Sequence, residues 1–181
     1  MFKKEIHPGA PTKVKSSVQR GLRTKFVETY PGFEPYIDEI LPKKAQLESV
    51  KLADRGATLY VIDSKPLFYQ NGDTLIPHLR LVHMFPDALP RLRVDRGAIP
   101  FILSGAALMA PGLTSAGGWL PDSDHALQAG QVVAVGAEGK EEVCLVGPLK
   151  MGTEEIKQKK KGVVMDDGHY LGDGLWKLNL D

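Results

Sequence analysis

Two runs in the last third of the chain constrain the fold most. GQVVAVGAEG (130–139) and EEVCLVGPLKM (141–151) are β-type segments joined at a Gly139-Lys140 turn. A strand with one wet face alternates apolar and polar residues, but these runs stay apolar almost throughout, so both of their faces must be covered. They demand a barrel or sandwich core. Apolar residues make up 43% of the 181 residues, enough for one domain or two small ones with packed interiors. Lys plus Arg number 23 against 22 for Asp plus Glu, a net charge of +1. Any nucleic-acid role therefore rests on local basic patches rather than on bulk charge. The lone cysteine, Cys144, excludes an internal disulfide and a cysteine-rich zinc site, and its VCLV setting predicts a buried strand thiol in a reducing compartment. The opening MFKKEIHPG lacks the apolar run of a signal peptide, and no stretch approaches the ~18–20 apolar residues of a membrane span. The expectation is a soluble, cytoplasmic protein with no membrane partner.

The first half reads differently. Val14, Val18, Leu22 and Phe26 recur at four-residue spacing as one stripe of a helix that Pro31 stops. Lys13, Lys15, Arg20, Arg23 and Lys25, with no acid before Glu28, make the helix surface basic, most simply as a solvated face. A short helix follows from Phe33 to Leu41. LESVKLAD, ATLYVID and PLFYQ are short β-type runs separated by turn residues and predict a small antiparallel sheet. Ile76 to Phe85 has the pattern of a helix that turns Leu79, Val82 and Phe85 inward, and Pro86 and Pro90 bracket a linker. The domains expected are 1–91 and 92–181. Further on, TEEIKQKKKG (153–162) predicts a helix capped by Thr153 and terminated by Gly162, with Glu154 and Glu155 at its positive end and the lysines at its negative end. Closing strands follow in VVMDDGHYLGDGLWKLNL, with Trp176 as an anchor. The fold class expected is α+β.

The segment SGAALMAPGLTSAGG (104–118) suits a nucleophile turn, a phosphate cradle or an RNA-facing loop. A serine hydrolase elbow needs Gly-x-Ser-x-Gly, and neither Ser104 nor Ser115 sits in that frame. A P-loop needs Gly-x4-Gly-Lys-Ser/Thr, whereas Gly139-Lys140 runs on into Glu141-Glu142. His7, His78, His83, His125 and His169 are scattered, and a metal site needs ligands that converge. Asp122, Asp124, Asp166 and Asp167 stand in turn-like sequence, where acids usually cap. No acid, base and nucleophile assemble, so no catalytic residue, cofactor or metal is expected, and the protein is not expected to be an enzyme.

Read as a unit, VDRGAIPFILSGAALMAPGLTS, continuing through GQVVAVGAEGKEEVCLVG and MGTEEIKQKKKG to HYLGDGLW, closely resembles a PUA domain. That pseudo-barrel is the RNA-binding module of pseudouridine synthases and archaeosine transglycosylases. KVKSSVQRGLRTKF, YPGFEPYIDEILPKK and IPHLRLVHMFPDALPRLRVDRGAI resemble the amino-terminal domain of the family of the multiple-copies-in-T-cell-malignancies protein and its fungal translation-machinery-associated counterpart. The resemblance covers nearly the whole chain and implies an amino-terminal α/β domain with a small antiparallel sheet, followed by a carboxy-terminal PUA pseudo-barrel. It also implies a ribosome-associated factor that acts with density-regulated protein, a partner carrying a SUI-type domain. Their implied tasks are release of deacylated tRNA from post-termination small ribosomal subunits and reinitiation. On this basis Arg91, Arg93, Arg96, Gly97, Gly105, Ala106, Pro111 and Gly112 form the expected RNA face, toward small-subunit rRNA or a tRNA. Leu108 and Met109 are expected in the barrel core, and Ser104, Thr114 and Ser115 as caps or turn hydroxyls. The amino-terminal half is expected mainly to hold the partner protein. Pro100 stands where the family has a basic residue, and a first-turn proline is compatible with the helix; nothing is transferred to Trp119 through His125. The competing reading is a tRNA-binding or RNA-modification accessory serving an enzyme on another chain.

Overall fold

In the computed structural model, which describes residues 2–181, a two-residue strand, β1 (Thr12–Lys13), leads into helix α1 (Ser16–Thr29). Pro31 ends the helix as expected, a 3-10 turn spans Pro31–Tyr36, and α2 covers Ile37–Ile40. The buried face of α1 is Gln19, Leu22 and Phe26, while Val18 is 49% exposed. A helix of 3.6 residues per turn rotates a strict four-residue spacing by about 40° at each step, whereas mixed steps of three and four stay centred. Gln19 takes the inward position because both ends of its amide are bonded: Nε2 donates to Ala45 O at 2.8 Å, and Oε1 accepts from Leu47 N at 3.1 Å.

Strands β2 (Glu48–Leu52), β3 (Ala57–Ile62), β4 (Lys65–Asn71) and β5 (Thr74–Pro77) complete an antiparallel sheet in the order β1-β2-β3-β4-β5. Asp63 and Ser64 turn β3 into β4 with φ of 50° and 62°, the two-residue hairpin geometry whose twist matches that of the strands. Aromatic rings fill the space between sheet and helix: Phe26 stacks on Phe68 at 5.0 Å and meets Phe33 at 5.0 Å. The helix expected from Ile76 begins later, as α3 (Leu79–Met84). Ile76 pairs with Tyr69 in the sheet, because a residue preceding proline avoids the helical region. His78 caps α3, its Nδ1 accepting from Arg80 N at 3.1 Å, and Phe85 lies beyond the helix, stacked on Tyr36 at 4.6 Å. This unit comprises Ile6–Leu89 together with Leu178–Asp181.

The second unit comprises Pro90–Lys177 and residues 2–5. It starts with β6 (Arg91–Val94), a 3-10 turn at Arg96–Ala98, α4 (Ile99–Leu103), β7 (Leu108–Met109) and α5 (Pro111–Thr114). There follow β8 (Val132–Ala137), β9 (Leu145–Pro148), α6 (Thr153–Lys159), β10 (Val163–Met165), β11 (His169–Tyr170) and α7 (Gly174–Lys177). The larger sheet has the order β11-β9-β8-β6, with β6 parallel to β8, and a separate ladder joins β7 to β10. Every residue of β8 is buried, as its unbroken hydrophobicity requires. Cys144 is buried just before β9, and burial pushes its thiol up to about 11.

Two expected caps fall elsewhere. Thr153 is the first residue of α6 behind the cap Gly152, and its Oγ1 accepts from Leu127 N at 2.9 Å. Lys160, with φ of 54°, closes the helix by donating its N–H to Ile156 O at 2.9 Å. The left-handed position must follow the last turn directly, whereas Gly162 lies two residues on, its carbonyl accepting from Ala110 N. Two of the helix's lysines are answered within it, Lys157 by Glu154 at 3.1 Å and Lys159 by Glu155 at 2.6 Å. Phe2 is buried edge-on to His169 at a centroid distance of 6.0 Å, and its carbonyl accepts from Gly174 N at 2.6 Å.

Candidate nucleic-acid interface

Strand β6 alternates: Leu92 and Val94 enter the core, leaving Arg91 and Arg93 on the opposite face. In its parallel register with β8, Arg93 stands opposite Gly136. On the other side of β6 a single antiparallel bridge sets Arg93 opposite Trp119; Arg93 N donates to Trp119 O at 3.2 Å, and Trp119 N to Arg93 O at 2.8 Å. Residues directly opposite in adjacent strands share a face. Gly136, Arg93 and Trp119 thus form a row across three segments.

The gap left by Gly136 is occupied by Arg91, whose Nη2 lies 3.0 Å from where a Cβ at position 136 would stand. Arg93 Nε donates to Gly117 O at 3.1 Å, which holds the guanidinium beside the indole. Trp119 is 48% exposed. Arg91, Arg93, Trp119 and Lys140 line a cavity of about 250 Å³. Glu138 Oε2 accepts from Arg96 N at 3.1 Å, and Asp95 caps the following turn by accepting from Ala98 N at 2.9 Å and from the Ser115 hydroxyl. Both nearby carboxylates are therefore occupied with backbone or hydroxyl donors.

A second cavity of about 340 Å³ has a different lining: Gly97, Phe101, Met109, Pro111 and Gly112. Phe101 is 66% exposed and Met109 44%, while Leu108 is buried. Met109 therefore lies outside the core expected of it: it is adjacent to Leu108 in β7, and consecutive strand residues point to opposite faces.

Of the eight residues expected on the RNA face, Arg91 and Arg93 meet at the first cavity, and Gly97, Pro111 and Gly112 meet at the second. Arg96 sits at the turn joining the strand that feeds one cavity to the helix that feeds the other. Gly105 and Ala106 border neither cavity. Gly105 has φ of +84° and faces the Tyr170 hydroxyl and the Lys3 side chain, while Ala106 is exposed in the same turn with its N–H on Phe101 O at 3.0 Å. The hydroxyls are used locally, as expected: Ser104 donates to Phe101 O at 2.7 Å and Thr114 to Ala110 O at 3.3 Å. Pro100 occupies the first turn of α4. Three residues of these faces were not apparent from sequence, namely Trp119, Phe101 and Lys140. The signal for Trp119 was a large aromatic in a Gly-Gly-Trp loop, where no core position explains it.

Among the described residues no group of three His, Cys, Asp or Glu side chains could hold a metal ion, and no helix is long and apolar enough to cross a membrane.

Residues 2–86 match the Pre-PUA-like domain model and residues 90–171 the PUA domain model. Translation machinery-associated protein 20 of Saccharomyces cerevisiae is 49% identical over 185 residues, covering 100% of both chains. Malignant T-cell-amplified sequence 2 of Homo sapiens is 40% identical over 166 residues, covering 92% of this chain and 90% of the human one. Among solved structures, a conserved PUA domain protein from Thermoplasma acidophilum superposes with a TM-score of 0.65 at 26% identity, covering 92% of this chain and 97% of that one. A hypothetical protein from Pyrococcus horikoshii OT3 shares the fold with a TM-score of 0.74 at 21% identity, covering 92% and 98%. The α+β architecture, a pre-PUA domain followed by a PUA domain, is the one the sequence implied.

Proposed function

Given that this chain belongs to the family of translation machinery-associated protein 20 and the malignant T-cell-amplified sequence proteins, we propose that it is a ribosome-associated translation factor that binds RNA through its PUA domain. The observation that carries this reading is the 49% identity across the full length, which spans both domains rather than the RNA-binding module alone. Arg91, Arg93 and Lys140 on one side of the PUA sheet supply the phosphate contacts that such binding needs. The finer role is release of deacylated tRNA from post-termination small subunits and reinitiation in the cytoplasm, performed with density-regulated protein. A non-catalytic role accords with a surface whose hydroxyls are held in caps and turns.

The apolar face of Phe101 and Met109 favours the PUA unit, rather than the amino-terminal unit, as the partner's seat, because exposed apolar surface rimmed by polar groups suits a protein contact. Sedimentation of the full chain with purified small subunits across a salt series tests the reading. Wild type is expected in the subunit fraction at low salt. Arg93→Glu combined with Arg96→Glu should bind at least about tenfold more weakly and flatten the salt slope by about one unit for each phosphate that the protein no longer neutralises. A wild-type chain that stays in the supernatant at low salt overturns the proposal.

A further inference from the structure

The row Gly136, Arg93 and Trp119 contains something that phosphate binding does not require. Cations alone hold a sugar-phosphate chain, yet here a half-exposed indole stands at the end of the row, in a cavity of about 250 Å³ that Arg91, Arg93 and Lys140 also line. Leaving that much apolar ring in water is unfavourable unless something covers it.

We propose that this row is a nucleotide subsite: one unpaired base of a single-stranded RNA stacks on Trp119 while its flanking phosphates lie against Arg91, Arg93 and Lys140. The subsite rests on the RNA-binding reading above and names the form of RNA that this face takes. Three observations favour it. An aromatic plane among cations is the arrangement by which proteins hold single strands without reading their sequence, whereas a duplex keeps its bases stacked on one another and offers only backbone and groove edges. The cavity lies just below the range of about 300–1,000 Å³ typical of whole small-molecule sites, which suits one base rather than a longer stack. A protein segment adding itself as a strand would need free backbone groups on this edge of β6, but Arg93 has both its N–H and its C=O bonded to Trp119.

Gly136 has a defined part in the site. With no side chain at that position, Arg91 can fold its guanidinium across the strand toward Arg93, so that two cations rather than one stand along the row that ends in the indole. Glu138 and Asp95, the acids nearest the row, accept from Arg96 N, Ala98 N and the Ser115 hydroxyl, and neither lines the cavity, whose charged side chains are Arg91, Arg93 and Lys140.

The full chain carries two tryptophans, so Trp176→Phe isolates the fluorescence of Trp119. Titration with an eight-nucleotide oligouridylate should quench that emission by about half or more, whereas uridine monophosphate at the same nucleotide concentration and a blunt RNA duplex should leave it nearly unchanged. Trp119→Ala should weaken oligouridylate binding about tenfold, within what one stacked base is worth. Trp119→Phe, which keeps a π face, should recover binding to within about threefold of wild type. Should Trp176→Phe unfold, the difference between wild-type and Trp119→Ala emission gives the same measurement. Oligouridylate binding without quenching, or equal binding by Trp119→Ala, overturns the subsite and leaves the RNA-binding reading standing. Equal quenching by duplex and single strand overturns the choice of single-stranded RNA. If neither RNA binds and the arginine substitutions do not change sedimentation with small subunits, both readings fall together.

Discussion

The two units solve the problem of a small core in different ways. The amino-terminal one closes a sheet whose strands follow sequence order around a set of rings, Phe26, Phe33, Phe68 and Tyr30. The PUA unit uses aliphatic side chains on a fully buried β8, and its pairings reach far along the chain: β6 runs parallel to β8, and Met109 pairs with Val163. Local pairing makes a scaffold from neighbouring residues. Distant pairing can set side chains from three separate segments in one row, and the row of Gly136, Arg93 and Trp119 arises in that way.

The sharpest way to break this contrast is to truncate one core residue in each unit. Phe26→Ala removes a ring that touches three others and should cost about 3–5 kcal/mol, read as a lower urea midpoint and faster hydrogen exchange in β3 and β4. Leu92→Ala, on β6 beneath the arginines, should cost about 2–5 kcal/mol, with weaker protection seen in β8 and β9. If Leu92→Ala instead leaves those strands protected, the distant pairing is not what holds the PUA sheet. A smaller effect is expected at Gly105, where φ of +84° and the nearby Tyr170 hydroxyl make Gly105→Ala cost about 1–2 kcal/mol. Binding of RNA to that variant should follow its folded fraction alone.

The smallest effect concerns pH. Each core keeps an acid protonated by burial, the Tyr30 phenol in one and the Cys144 thiol in the other, both with pKa values raised. A raised value means that the folded state holds the proton more tightly, so the contribution of Cys144 is complete below the ordinary thiol range and is lost as the pH rises through about 11. Chemical denaturation from pH 8 to 11 should show falling stability, and Cys144→Ala should flatten part of that fall. Native alkylation at pH 8 should be on the order of a hundredfold slower than for an exposed cysteine.

Much of this architecture was legible in the residues. Uninterrupted apolar runs announce a strand covered on both sides, and proline positions announce where helices stop. Phase and direction were harder to read. Val18 and Met109 satisfy an apolar pattern, yet both lie outward. A strict four-residue spacing drifts around a helix, and two neighbours in a strand cannot share a face. Gln19 faces inward because two backbone groups that stand 26 and 28 residues further along the chain satisfy its amide, a pairing that no local pattern reveals. Lys160 takes the left-handed cap that Gly162 could have filled because position after the last turn outweighs residue preference. The arginines of the proposed RNA face stand out as charges in the sequence. Trp119 does not, because its value comes from a single bridge to a strand far before it.

The exchange of terminal segments sets how the molecule would come apart. Residues 2–5 belong to the unit formed mainly by Pro90–Lys177, and Leu178–Asp181 to the one formed mainly by Ile6–Leu89. A protease that nicks the chain between Leu89 and Pro90 therefore does not yield two self-sufficient domains. Each half would carry a short piece of the other's fold, with Phe2 seated in the opposite half, so the nicked halves should elute together under native conditions and part only when denatured. Dissection at the linker would thus leave both pieces unfinished, each lacking a clasp that the other still holds.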